Sequence, residues 1–506
     1  MGPMKTTGNR PTRRILGVLL VLAAFSGPAG GAETVVLSIG EAVRIAISRN
    51  LGLKVASYSP AIAETDIRKA RSIYDPSLTA HVDHRETNLT SGPGFAFVDR
   101  QRYYHFDTAI SQLLPTGATT SLSFTNLFFR DNLGLPTSDY ARPELVLSFS
   151  QPLLKGFGQE VTERGITTAD DALDSALTDW NQQALDTAAD ARNRYLALVK
   201  ARENLATRRA SLALARQIHS ENGARVNAGV LASFQMQDSL LGVLQRQSEL
   251  LEAERSARDA ADQLVTALNL PARTTIEDSG IPDPEKVLIL EEEAMMTAMA
   301  RRPDMAKARV AVRTAEFNEG ISRNLALPSL ALEGSAGLAG FNADYDNAME
   351  DLGGGKYPEW SVGLTFSVPI GNSAARADLA ANRLKASQAR TRLTVVEETV
   401  GLEVRAALRA LEIRREQIDV TTQGVTAAET LVASYRKRQQ LGLATTKDLL
   451  DVEAGLTLAK ESLTGARADY HAALTDLWKA TGELLDREGL RLEGKAPEWR
   501  KQKGNR

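Results

Sequence analysis

The chain has 506 residues, 43% apolar, 24% charged and 5% aromatic, with no cysteine. Sixty Lys and Arg against 63 Asp and Glu give a net charge of −3, so there is no bulk basic footprint for nucleic acid. The missing cysteine excludes a disulfide framework, thiolate metal sites, cysteine nucleophiles and N-terminal lipid acylation. After residue 25 no apolar run reaches the roughly 18–20 residues of a spanning helix.

Lys5, Arg10, Arg13 and Arg14 precede an apolar run from Ile15 to Phe25, and Ser26–Ala32 is a stretch of small residues with one proline. That order predicts a secretory signal over residues 1–32, cleaved near Ala32; the alternative is an uncleaved anchor. Removing four basic and no acidic residues leaves 56 against 63, a net −7.

The remainder reads as a duplication. Glu41-Ala42, Ala46 and Arg49 recur as Glu293-Ala294, Ala298 and Arg301, and Pro76-Ser77-Leu78 recurs as Pro328-Ser329-Leu330, all at an offset of 252. Gln151-Pro152-Leu153 matches Val368-Pro369-Ile370 at 217, and Gly229 and Asp238 match Gly442 and Asp451 at 213. Repeats at fixed offsets decide architecture before any local feature. The fall from 252 to 217 leaves about 35 extra residues between the prolines of the first copy.

Each copy predicts helix, strands, helix, turn, helix. Residues 39–74 carry the helical period, which Tyr74-Asp75-Pro76 ends. The period then changes to two: Leu122 and Phe124, Leu145, Leu147 and Phe149, and Val362, Leu364, Phe366 and Val368 alternate mostly with small polar residues. Such alternation suits a transmembrane barrel strand and equally a half-buried soluble one. Pro115-Thr116-Gly117 signals a hairpin inside the extra segment, which either adds a pair of strands to the same wall, the reading preferred here, or folds outside it. Ser91–Gly94 and Asp131–Arg142 would be its outer loops.

Tracts rich in helix formers follow, at 159–223, 233–268, 374–438 and 446–482. A 65-residue helix is about 97 Å long, too long for a compact globule. Segments 39–74 and 233–268 placed end to end equal one such rod, and 289–324 with 446–482 equal the other. The predicted fold class is therefore mainly α with β: an antiparallel layer of long rods with the strands all at one end. A few strands per chain cannot close in lipid, where open edges are forbidden, so cyclic copies must close the wall.

The domain expectations are a signal at 1–32, a first repeat at 33–285 (strands about 77–151, turn about 225–233), a second at 286–484 (strands about 329–370, turn about 438–446), and a polar tail at 485–506. Asn269–Lys286, with its three prolines, and the residues after Gly482 would belt the middle of the rods. Glu498–Arg506 reads as disordered.

At this point the chain resembles the TolC-type outer-membrane efflux protein family. The residues that carry this are Leu37-x-Ile39-x-Glu41-Ala42, Tyr74–Leu78, Ser150–Gly158, Arg302-Pro303-Asp304, Trp360–Phe366 and Gly442-x5-Asp448-Leu449-Leu450-Asp451. The resemblance implies a homotrimer in outer-membrane lipid, with a transmembrane β-barrel shared by the trimer and a long antiparallel helical barrel extending into the periplasm. It implies passive export, with energy from an inner-membrane transporter joined through a periplasmic adaptor (membrane fusion) protein. The alternative is a periplasmic coiled-coil adaptor or scaffold, which leaves the duplicated strands unexplained.

No catalytic constellation is recognisable, so neither an enzyme nor a cofactor is expected. His81 and His84 lie three apart in a strand and face opposite ways. Gly353-Gly354-Gly355-Lys356 lacks the phosphate-loop spacing and reads as a loop tip between strands. Asn342-x-Asp344-x-Asp346 has calcium-loop flavour, but Asn347 stands where glycine is needed.

Asp448 and Asp451 are the informative carboxylates. Thr445-Thr446-Lys447-Asp448 opens a helix, where an acid caps the end and complements its dipole. The resemblance adds that both line a constricted periplasmic mouth, forming acidic rings in a trimer. At the turns, Arg225 with Gly229 and Arg438 with Gly442 suit helix C-termini, and the resemblance makes these tips the docking points of the adaptor.

Overall fold

The computed structural model describes residues 34–90, 98–132, 139–230, 232–284 and 289–490. The expected signal, the loop Ser91–Gly94, the join between the repeats at 285 and 286 and the tail Glu498–Arg506 lie outside the described residues.

In the first half, β1 (Thr34–Leu37), α1 (Ile39–Arg49) and α2 (Leu51–Arg71) lead into four strands. These are β2 (Ser77–Thr90), β3 (Val98–Leu113), β4 (Thr119–Arg130) and β5 (Asp139–Pro152). The short α3 (Gln159–Thr162), the 64-residue α4 (Arg164–Asn227), α5 (Phe234–Ala267) and β6 (Thr275–Asp278) follow. The second half runs α6 (Glu291–Arg301), α7 (Pro303–Leu325), β7 (Ser329–Ala339), α8 (Tyr345–Gly353) and β8 (Tyr357–Ser367). It ends with the 68-residue α9 (Ser373–Gln440), α10 (Thr446–Thr481) and α11 (Leu484–Arg487).

The first expected helix of each repeat is broken where the reading above made it continuous. Asn50 and Arg302, equivalent by the offset of 252, leave helical geometry with ψ of 123° and 133°. Asn50 ends α1 and caps α2 by accepting from the Leu53 amide at 2.9 Å. Arg302 is displaced by Pro303, which disfavours helical geometry in the residue before it. Each break receives the end of another helix. The Asn50 amide donates to the Ala267 carbonyl at 3.4 Å, and the Arg302 guanidinium donates to the Ala480 carbonyl at 3.3 Å. At the second junction Gly482 takes a positive φ of 75°, and a Cβ there would lie 3.2 Å from the Arg301–Arg302 backbone.

Small residues let these rods pack side by side. Ala63 and Ile67 of α2 meet Leu173 of α4, and Val43 of α1 meets Leu185 and Ala188. Ala42 and Ala46 share a cluster with Tyr195, Leu198 and the end of α5. Further along α4, Leu212 and Ala215 join Val243 of α5 and Leu449 of α10. α9 packs along α6 through Val400 and Val404, and along α10 through Leu411 and Ile418. The result is a layer four rods wide: α1–α2 continued by α5, then α4, then α6–α7 continued by α10, then α9.

β1 and β6 pair in parallel beside the middle of α4, where the Tyr195 hydroxyl bonds the Leu37 carbonyl at 3.2 Å. α11 packs on the same stretch, so the segments expected to belt the rods do meet there. The sequence reading did not anticipate this two-stranded sheet.

At one end of the layer stands a six-stranded antiparallel sheet in the order β2-β3-β4-β5-β7-β8. The extra hairpin β3–β4 lies inside this sheet, between β2 and β5. Register puts Leu78, Ile110, Leu122 and Leu147 on one face, with Leu338, Trp360, Val362, Leu364 and Phe366. The opposite face carries Ser121, Ser123, Ser148, Ser335, Ser361 and Thr365. His81 and His84 fall on opposite faces. Among the described residues no helix is long and apolar enough to cross a membrane.

The turn at Gly354-Gly355, read as a loop tip between strands, lies instead between β8 and the helix α8, which has Asp344 at its N-cap position. This helix lies on the apolar face, where the Tyr345 hydroxyl donates to Asn126 at 3.0 Å and its ring contacts Phe128. Gly340 makes this possible, because a Cβ there would fall 1.8 Å from the Ala348 carbonyl oxygen.

Candidate periplasmic mouth and docking tips

The end of the layer remote from the sheet is built from two helical turns of the same design. α4 closes with Val230 donating to the Arg225 carbonyl at 3.0 Å and Gly229 to the Val226 carbonyl at 3.0 Å. α9 closes with Leu443 donating to the Arg438 carbonyl at 2.8 Å and Gly442 to the Gln439 carbonyl at 3.1 Å. Both glycines take positive φ, 71° and 68°, as this C-terminal motif requires. Val230, Leu441 and Leu443 stand exposed at the tips. The Arg438 guanidinium lies 5.6 Å from the centre of the Tyr435 ring.

Between the two tips is an open groove of about 760 Å³. Arg225, Gly442 and Asp448 line it together with Asn222, Gln235 and Thr446. Gly229, Arg438 and Asp451 are not among its lining residues, so the groove brings together only part of the predicted set.

Asp448 completes a capping box at the start of α10. Its carboxylate accepts from the Thr445 amide at 2.8 Å and hydroxyl at 2.7 Å, while its own amide donates to that hydroxyl at 3.1 Å. Those two donors hold the Asp448 carboxyl below its ordinary value of 3.8. Asp451, one turn on, is exposed. The capping role of Asp448 is thus a feature of the structure.

Three groups escaped the sequence reading. The buried Asn222 amide donates to Thr446 at 2.9 Å, tying α4 to the first turn of α10. Arg246 of α5, 6% exposed, donates to the Leu450 carbonyl of α10 at 2.6 Å and to the Gly242 carbonyl at 3.2 Å. Glu453, 3% exposed, lies 3.7 Å from the Arg436 guanidinium, and burial pushes its carboxyl up against the pull of Arg436 and Arg246. On a helical wheel these residues look like ordinary solvated polar side chains. Only the packing of α5 and α9 against α10 distinguishes them.

This geometry of rods, end sheet and paired turns recurs in solved structures. The Campylobacter jejuni CmeC outer membrane channel superposes with a TM-score of 0.64 at 16% identity, covering 92% of this chain and 89% of that one. The Vibrio cholerae outer membrane protein VceC gives 0.64 at 16% identity, covering 88% and 96%. A family model described as outer membrane efflux protein matches residues 295–483. Over those residues the chain matches the outer membrane efflux protein family, and its likeness to the solved channels is one of fold. Among curated relatives, it is 26% identical over 208 residues to the outer membrane efflux protein BepC of Brucella suis, 41% of this chain and 44% of that one. It is 30% identical over 198 residues to the alkaline protease secretion protein AprF of Pseudomonas aeruginosa, 38% and 39%. The outer membrane protein TolC of Vibrio cholerae is 23% identical over 302 residues, 58% and 67%. The chain thus spans under half the length of the first two of these relatives.

Proposed function

We propose that the chain is one subunit of a trimeric outer-membrane duct, serving as the passive exit of a tripartite efflux or type I secretion system. One observation carries this reading. Among the described residues, the six-stranded sheet has an apolar face of Leu, Val, Phe and Trp with no partner layer beyond the short α8, and two open edges, β2 and β8. Open edges are not tolerated in hydrocarbon, so a sheet of this kind is completed by further copies. The repeats 33–285 and 286–484 then act as two matching staves of each subunit.

The outer rods support the same closure. Leu384, Val395, Leu402, Ile413, Val420 and Leu431 of α9 are all exposed and fall at alternating steps of eleven and seven. At 3.6 residues per turn they form one straight stripe. At the other border of the layer Leu51, Val55, Tyr58 and Ile62 of α2 and Leu240, Leu244 and Leu251 of α5 are exposed as well. Two unlike apolar stripes on opposite borders make a head-to-tail contact, the type that closes a ring.

Within that assembly Asp448 and Asp451 would form acidic rings at the periplasmic mouth. The tips carrying Arg225, Gly229, Arg438 and Gly442 would meet a periplasmic adaptor that joins the duct to an inner-membrane transporter. The reading gives no part to catalysis or to a cofactor. The alternative of a periplasmic scaffold is disfavoured by the apolar sheet face.

The test is extraction from outer membranes, electrophoresis with and without heating, and reconstitution in planar bilayers. A heat-dissociable trimer that conducts ions is expected. A water-soluble monomer without conductance would overturn the reading.

A further inference from the structure

The width of the sheet sets the width of the exit. Six strands is an even number, so β2 ascends from the rods and β8 descends to them. β8 of one copy therefore meets β2 of the next in the antiparallel sense, and the alternation continues around the ring. The faces continue too. Leu78 and Val82 of β2, and Trp360, Val362, Leu364 and Phe366 of β8, all lie on the apolar side and are exposed at the two edges.

We propose that the membrane wall is an eighteen-stranded barrel, six strands from each of three copies, and that the exit is as wide as the helical tunnel beneath it. This rests on the trimeric reading above. Strands about 4.8 Å apart, tilted about 40°, each occupy about 6.3 Å of circumference, so eighteen give about 110 Å. The layer beneath is four rods wide per copy, and twelve rods at about 9.5 Å also give about 110 Å. Were β3 and β4 to lie outside the wall, four strands per copy would give only about 75 Å. The match holds only with the extra hairpin in the wall, which is where the register puts it: fourteen pairs tie β2 to β3, and β4 is paired to β5 along its whole length.

The consequence concerns the bore. A circumference of about 110 Å is a backbone diameter of about 36 Å, leaving a bore of about 20 Å inside the longer side chains. The face turned inward carries Ser121, Ser123, Ser148, Ser335, Ser361 and Thr365 towards the rods, and Tyr103, Phe129, Tyr140, Arg142 and Glu359 further out.

The absence of native cysteine permits a clean test. Thr79→Cys is combined in turn with Ser361→Cys, Thr365→Cys or Ser367→Cys on β8, and separately with Ser148→Cys or Ser150→Cys on β5. All of these positions share the inner face. Oxidised outer membranes should give covalent trimers with at least one β8 partner and no internal cross-link with either β5 partner, because two strands separate β2 from β5. In bilayers, neutral polymers of hydrodynamic radius up to about 10 Å should enter from the external side. An internal β2–β5 disulfide, or exclusion of polymers above about 7 Å, would overturn the wide exit while leaving the trimer intact. A parent protein with no heat-dissociable trimer would overturn the trimeric reading itself.

Discussion

Asp448 carries two roles that substitution can separate. Its carboxylate caps α10 through Thr445, and in the proposed trimer it also contributes charge to a ring at the mouth. Asp448→Asn with Asp451→Asn keeps an acceptor at the cap and removes both charges. Block of the reconstituted channel by multivalent cations should disappear, with assembly unchanged; persistent block would exclude the rings. The capping role has its own signature in pH. Because the folded chain holds this carboxyl below its ordinary value, it contributes stability that is present above pH 3.8 and lost as pH falls through the lowered value. The Ser38–Glu41 box at the start of α1 has the same chemistry and the same lowered carboxyl. Protection of the Ser38 and Thr445 amides, which donate to these carboxylates, should therefore fall relative to intrinsic exchange at acid pH before the middles of the helices respond, and Asp448→Ala should reproduce the change in α10 alone at neutral pH. At the tips, bulky substitutions at Gly229 and Gly442 oppose a required positive φ. They should abolish export in cells while leaving the heat-dissociable trimer, and normal export would exclude docking at these turns.

At the scale of elements the middle of the rods is fastened by a buried ion pair. Arg192 of α4, 4% exposed, bonds Glu488 just beyond α11, donates to Thr475 of α10 at 2.9 Å and lies 4.9 Å from the Trp478 ring centre. Glu488→Ala leaves that guanidinium buried without its counter-charge, a change that typically costs about 3–5 kcal/mol. The trimer-to-monomer transition on gels should move to lower temperature. Replacing Arg192 and Glu488 together by leucine should cost less, since no charge is then stranded. A double variant as unstable as Glu488→Ala would show that packing at this site matters more than the pair. Much of the element order was legible in the sequence, because the duplication, the prolines and the change of period from 3.6 to two are local signals. The breaks at Asn50 and Arg302 were not read, although Pro303 announces one of them, because the apolar period continues across both. α8 was missed for a different reason: its nine residues lie among Gly, Asp and Asn, and only Gly340 and Asn126, far apart in sequence, give it a surface to lie on. Arg192 and Glu488 are 296 residues apart, and no spacing rule joins them.

At the scale of the whole molecule, an apolar sheet face and apolar stripes on both outer rods stand exposed, a pattern that suits the contact between copies proposed above. The α9 stripe runs from Leu384 to Leu431 without drifting around the helix, which fits a straight stave better than a supercoiled seam with a strict seven-residue repeat. Charges flank it: Arg390 and Glu316 pair at 2.7 Å and Arg302 and Glu403 at 2.6 Å, both within the subunit. The stripe itself is left for the neighbour. Ile413→Glu with Val420→Glu places two carboxylates at its centre, beyond the reach of lipid and remote from the tips. Each is exposed in the single subunit, so helicity and the heated-gel mobility of the monomer should stay as in the parent. Within the ring each would be buried against Leu, Val or Tyr of α2 or α5, and burying an unpaired carboxylate is strongly unfavourable. The unheated sample should therefore run as monomer and give no conductance. The control is Ile413→Leu with Val420→Leu, which preserves the apolar stripe and should retain the trimer. If the diglutamate variant also ran as a stable trimer, the α9 border would face solvent and closure would have to come from the strands alone.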